Sequence, residues 1–248
     1  MLNPRRKIQA LPENRWRRWW VVVLFAIAMA WVESAAVVYL RTVVGRIEPH
    51  QTKPLPVSDA LSRAELVREA ATLIMLFAVG WLAGQTWRSR LGYSLIAFGL
   101  WDIFYYLFLK LICGWPHSLL DWDVLFLLPL PWWGPVLAPT LIAALMVLGG
   151  TLLSQFDRVD QPLWPSRRSV ALNLGGVALA LYVFMADAIH VMGGGREAVR
   201  NVLPAWFNWP LFLCAFLMMS APVWRMAARI WKRRQADSLS NAPANCGG

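Results

Sequence analysis

Charge, histidine and cysteine are all scarce in this chain. Charged residues make up 15% of its 248 positions, against about 25% in an ordinary soluble domain. With 58% of residues hydrophobic, that shortage excludes a typical water-soluble fold and equally excludes a disordered chain. Only Cys113, Cys214 and Cys246 are present, with no CxxC pair, so neither a disulfide framework nor a thiolate metal centre is supported. The three histidines, His50, His117 and His190, offer no intramembrane pair for a bis-histidine haem. Walker, Rossmann, HExxH and GxSxG patterns are missing, which removes the nucleotide, zinc-protease and hydrolase-elbow readings that rest on them.

What the sequence has in abundance is long apolar runs. Six segments, approximately 19–41, 66–86, 91–113, 133–155, 169–192 and 203–224, are long enough to cross about 30 Å of hydrocarbon. The expected fold is therefore an all-α, polytopic integral membrane bundle of six transmembrane helices. The second span is the weakest, since Arg68 and Glu69 fall in its first turn. A basic segment over 1–18 precedes the bundle domain of 19–234, and a polar, disordered tail is expected over 235–248. The first span resembles a signal peptide at its start, but its hydrophobicity runs on to Leu40, which favours an uncleaved anchor.

Cationic residues give the orientation. With both termini cytoplasmic, 16 of the 24 Lys and Arg residues lie on the inner side and 7 on the outer, Lys110 lying within a helix. Most of the 16 tryptophans fall at the ends of the spans, where an amphipathic ring prefers to sit. The expected location is a cell membrane, the inner membrane if the source is bacterial. The net charge of +10 then belongs to lipid-facing helix ends such as the Arg229 to Arg234 cluster, and no nucleic-acid partner is expected.

Ionisable residues inside apolar spans are costly, so they turn toward a bundle interior and mark sites. Glu33, Glu69, Asp102 and the Asp187 and His190 pair lie on four different spans, all at mid-depth or toward the outer side. Asp102, Tyr106 and Lys110 form a stripe along the third helix, with Tyr105 beside it. The connection after that helix contains Asp121 and Asp123, an apolar stretch from Val124 to Leu128, and prolines at 129, 131, 135 and 139. A short interfacial or re-entrant segment is expected there, closing the outer mouth, with Asp121 or Asp123 capping a helical turn.

Together these residues point to an outward-facing, acidic and tyrosine-rich pocket made by Glu33, Glu69, Asp102, Tyr105, Tyr106, Lys110, Asp123, Asp187 and His190. Glu33, Glu69, Asp102, Asp187 and His190 would suffice for a single divalent metal ion, although di-iron bundles use two acid-x-x-His pairs and this chain has one. The pocket suits a metal ion or small ligand, with membrane-embedded redox or hydrolytic catalysis left open. A proton- or cation-coupled transporter is the first alternative, and a non-catalytic accessory subunit pairing with another membrane protein is the second.

Overall fold

The computed structural model describes residues 15–45, 48–49, 59–127, 129–157 and 163–240. Most of the basic leader, His50 and the last eight residues lie outside that set. Six long helices dominate: α1 (Arg15–Val43), α2 (Asp59–Ala83), α3 (Trp87–Cys113), α4 (Leu137–Phe156), α5 (Arg167–Val191) and α7 (Trp209–Ser240). A short α6 (Gly195–Arg200) lies between α5 and α7. All six long helices contain a segment long and apolar enough to cross a membrane, that of α2 being Arg63–Ala83. α7 starts six residues later than the apolar run predicts and continues past Arg234, into the region expected to be disordered.

Local chemistry sets the helix ends. Thr86 caps α3, its side chain accepting from Ser89 N while the Ser89 hydroxyl accepts from Thr86 N, so two otherwise unpaired N–H groups are satisfied. Gly114 ends the same helix at φ 79°, a left-handed conformation that a side chain disfavours. Ser166 caps α5 through Ser169 N, and the Asn208 side chain accepts from Leu211 N at the start of α7.

α3 is the hub. It packs on α1, α2 and α4, while α5 pairs with α7, and α4 joins the two groups by touching both α3 and α7. The contacts are close because glycine stands at the crossings. A Cβ built on Gly150 of α4 would lie 2.4 Å from the Gly92 carbonyl oxygen of α3, and one on Gly99 would lie 2.5 Å from the Ala143 carbonyl oxygen. Gly80 meets Ser94 between α2 and α3, and Gly176 meets Ala215 between α5 and α7. Small residues that let backbones approach are how helices associate where no hydrophobic drive separates lipid from protein. The outer surface stays apolar, with Leu82, Val43 and Trp224 all more than two-thirds exposed.

At the end of the bundle where α1 begins, Asp157 ties the elements together. Its carboxylate accepts from Arg88 Nε at 2.9 Å and from Leu163 N at 2.8 Å, and its carbonyl accepts from Arg15 at 2.6 Å. The opposite end is closed by the α3–α4 connection, which departs from expectation. Instead of a capped helical turn it forms two antiparallel strands, β1 (Trp122–Val124) and β2 (Trp133–Pro135), paired Trp122 to Pro135, Asp123 to Gly134 and Val124 to Trp133. The proline series withholds the donors a helix needs, and a short ladder uses the N–H groups that remain, including Leu125 N to Trp132 O at 2.8 Å. Asp123 is thus a strand residue and not a helix cap. Asp121 shapes the preceding turn, accepting from His117 N at 2.7 Å and Ser118 Oγ at 3.0 Å. Slight burial pushes its carboxyl upward, but those hydrogen bonds win and hold it below the usual carboxylate range.

Candidate functional site

Beneath the β1–β2 ladder lies a small cavity of about 60 Å³. A water needs roughly 10–15 Å³ on this measure, so the space suits a few waters or one small polar group. Its walls are Glu33 from α1, Arg68, Glu69 and Thr72 from α2, Trp101, Asp102, Tyr105 and Tyr106 from α3, and Asp123 to Phe126 from the connection.

Each helix brings its polar group there by register. Glu69 and Thr72 follow Arg68 within one turn of α2, and Asp102, Tyr105 and Tyr106 recur at three- and four-residue spacing along α3. Arg68 organises one wall. Its guanidinium forms an ion pair with Glu33 and donates from Nε and Nη2 to Glu65 Oε2 at 3.0 and 2.7 Å. Thr72 Oγ1 donates to the second oxygen of Glu33 at 3.1 Å, so that buried carboxylate is satisfied on both sides. Glu69 accepts from Leu127 N at 3.2 Å, fixing the chain after β1 above the cavity.

The opposite wall rests on Asp123, only 1% exposed. Arg41, in the last turn of α1, donates to Asp123 Oδ1 at 3.1 Å, and its guanidinium sits 4.5 Å from the Trp115 ring centroid. Burial raises the Asp123 carboxyl above its ordinary value, against the pull of Arg41, Val124 N and the Tyr106 hydroxyl. Ser34 Oγ, fully buried, donates to the carbonyl of Tyr105 or of Ala30 and joins α1 to the α3 segment that carries the site.

Asp102 differs from these acids. It is 8% exposed and has no hydrogen bond or ion pair among the described residues, whereas Asp123 leaves only its Oδ2 unmatched. The neighbouring Trp101 Nε1, on a ring 7% exposed, is likewise buried without an acceptor. Trp101 and Asp102 line the same small space, and Trp101 Nε1 and Asp102 Oδ2 are both turned away from its open part. Four carboxylates face it against one guanidinium, and Arg41 adds a second through Asp123. Fully ionised, the site would hold an excess of negative charge that only protons or a bound cation could balance.

Six of the residues singled out from sequence, Glu33, Glu69, Asp102, Tyr105, Tyr106 and Asp123, line this cavity. Three others do not. Lys110 is exposed at the end of α3 and donates to the Gly114 carbonyl at 3.1 Å, so it forms no pair with Asp102. Asp187 and His190 lie on α5, which packs on α7 and β2 and not on α1 or α2. Asp187 accepts from Ala205 N and His190 is exposed. The five residues considered as metal ligands are thereby divided between two places. Among the described residues no group of three or more His, Cys, Asp and Glu side chains is placed to share a metal ion.

Sequence reasoning assigns Arg41 and Arg68 to the outer side as orientation signals, weighs Arg68 besides as an ion-pair partner for Glu69 or Asp102, and misses its pair with Glu33 and the part Arg41 plays in the site. The available signal is their position near the acidic residues within apolar helix ends. Comparison with protein families, with curated proteins and with solved structures finds no match.

Proposed function

We propose that this chain is an integral membrane protein whose acidic, tyrosine-rich cavity binds a small cationic ligand, with Asp102 as the anchoring charge. The observation that carries this reading is the Asp102 carboxylate itself, the one carboxylate lining the cavity with no hydrogen bond or ion pair among the described residues. A buried charge without a partner is destabilising, and sites of that kind are retained where a ligand completes them. The transporter alternative needs a polar route through the other half of the bundle. There the interior is apolar around Val22, Ala26, Ile96 and Ala97, which favours binding over passage.

The experiment is thermal unfolding in mild detergent across a panel of monovalent, divalent and organic cations. At least one should raise the midpoint with concentration as RT ln(1 + [L]/Kd) prescribes, and Asp102→Asn should remove that shift. No cation-dependent shift at any concentration would remove the proposal.

The cationic asymmetry supports placing the cavity on the outer side, with both termini cytoplasmic. A reporter fused after Asp121 should then read external and one after Asp157 cytoplasmic. The reverse pair of signals would turn the molecule over.

A further inference from the structure

The shape of the unmet bonding identifies the ligand class more narrowly than charge does. Resting on the cation-binding reading, we infer that the cavity receives a primary ammonium group, R–NH3+.

Metal binding asks for several oxygen or nitrogen ligands converging at about 2.0–2.6 Å. The acids here are already committed: Glu33 to Arg68 and Thr72, Glu69 to Leu127 N, Asp123 to Arg41. That leaves Asp102 as the one cavity carboxylate with no hydrogen bond among the described residues, and one carboxylate is a poor cage for a metal ion. It is a sufficient partner for a single ammonium. The remaining wall is aromatic. Trp101 and Tyr105 stack with ring centroids 6.1 Å apart, Tyr106 and Phe126 also line the space, and ring faces attract organic cations.

A quaternary ammonium would satisfy the charge of Asp102 but not its hydrogen bond, because it has no N–H to give. A primary ammonium has three, and one of them can be directed at the Asp102 carboxylate. The cavity volume admits the ammonium end and not a large molecule, so any longer R extends out of it. A free amino alcohol and the headgroup of an aminophospholipid share this chemistry.

The test uses the full chain in mild detergent and reads the thermal midpoint with methylammonium, ethanolamine, tetramethylammonium, magnesium, zinc and inorganic phosphate. The expected order is ethanolamine and methylammonium above tetramethylammonium, which needs no variant to establish. Asp102→Asn should weaken both primary amines at least tenfold. Stabilisation by magnesium or zinc without the amines, lost in Asp102→Asn, overturns this inference and leaves the cation-binding reading standing. Tetramethylammonium matching or exceeding methylammonium also overturns it. Stabilisation by phosphate alone, or by nothing, overturns both readings, the cavity then holding only water.

The source is separated by repeating the measurement in nanodiscs of phosphatidylcholine with and without phosphatidylethanolamine. A higher midpoint with phosphatidylethanolamine, reversed in Asp102→Asn, supports the inference with the headgroup as ligand. Equal midpoints, with free ethanolamine still stabilising, support it with the soluble amine.

Discussion

Arg68→Met is expected to destabilise the protein by about 3–5 kcal/mol, the cost of leaving a buried carboxylate without its cation. The guanidinium is shared between Glu33, which is buried, and Glu65, which is partly so. Removing it strands the Glu33 charge between α1 and α2, where Thr72 supplies one hydrogen bond and no charge. Arg68→Lys should recover only part of the loss, since an ammonium cannot make the forked contact to Glu65 while reaching Glu33. The double change Arg68→Met with Glu33→Gln should recover most of it, because no uncompensated buried charge remains on α1. Thermal midpoints of the three variants in detergent decide the matter. A single Arg68→Met with native stability would show that the pair does not hold α1 to α2.

The second large effect belongs to a residue with no side chain. Gly150→Leu should prevent α3 and α4 from packing and cost at least about 3 kcal/mol, the upper part of the range for overpacked cores. The first added atom already collides with the Gly92 carbonyl oxygen and with Ile96, and backbone cannot rotate away as a flexible side chain can. Because α3 is the hub, the damage should spread to α1 and α2. Gly193→Leu provides the control, since nothing lies within 4 Å of a Cβ placed there. Folding yield and midpoint should fall sharply for the first and little for the second. Equal behaviour would mean that the helices are not held at this crossing.

Arg68 and Gly150 also differ in how far the sequence betrays them, and the acids differ from both. Glu33, Glu69 and Asp102 are conspicuous because a charge interrupts an apolar run, and the cost of burying it says that it faces inward. Their convergence follows from their common depth. Gly150 carries no such mark, because a glycine in an apolar helix reads the same at a crossing as on a lipid-facing side until its neighbour is known. Arg41 is legible only as topology, since a cation at a helix end ordinarily reaches water, and Arg68 reads as topology or as a partner for Glu69 or Asp102 but not for Glu33. Here each turns toward an acid on another element, and partners distant in sequence leave no local pattern.

Asp187 and His190 err the other way. Their spacing aims both to one side of α5, but α5 sits against α7, so the side they share is far from the acids of α1 to α3. Helix depth is readable and helix neighbourhood is not. The β1–β2 ladder is hidden for a similar reason. Prolines announce that the connection is not helical, but the pairing of Asp123 with Gly134 depends on two segments 11 residues apart in register.

The central claim is that Asp102 is kept for a ligand and not for the fold. The most direct measurement is the thermal midpoint of Asp102→Leu in detergent with no added cation. A carboxylate that is buried and unpaired costs stability in the free protein, so its replacement by an apolar side chain of similar size should leave the midpoint unchanged or raise it. The same variant should show no stabilisation by any cation that stabilises the native chain. A fall in the midpoint comparable to that of Arg68→Met would contradict the account, since it would make Asp102 one more structural charge with a partner of its own.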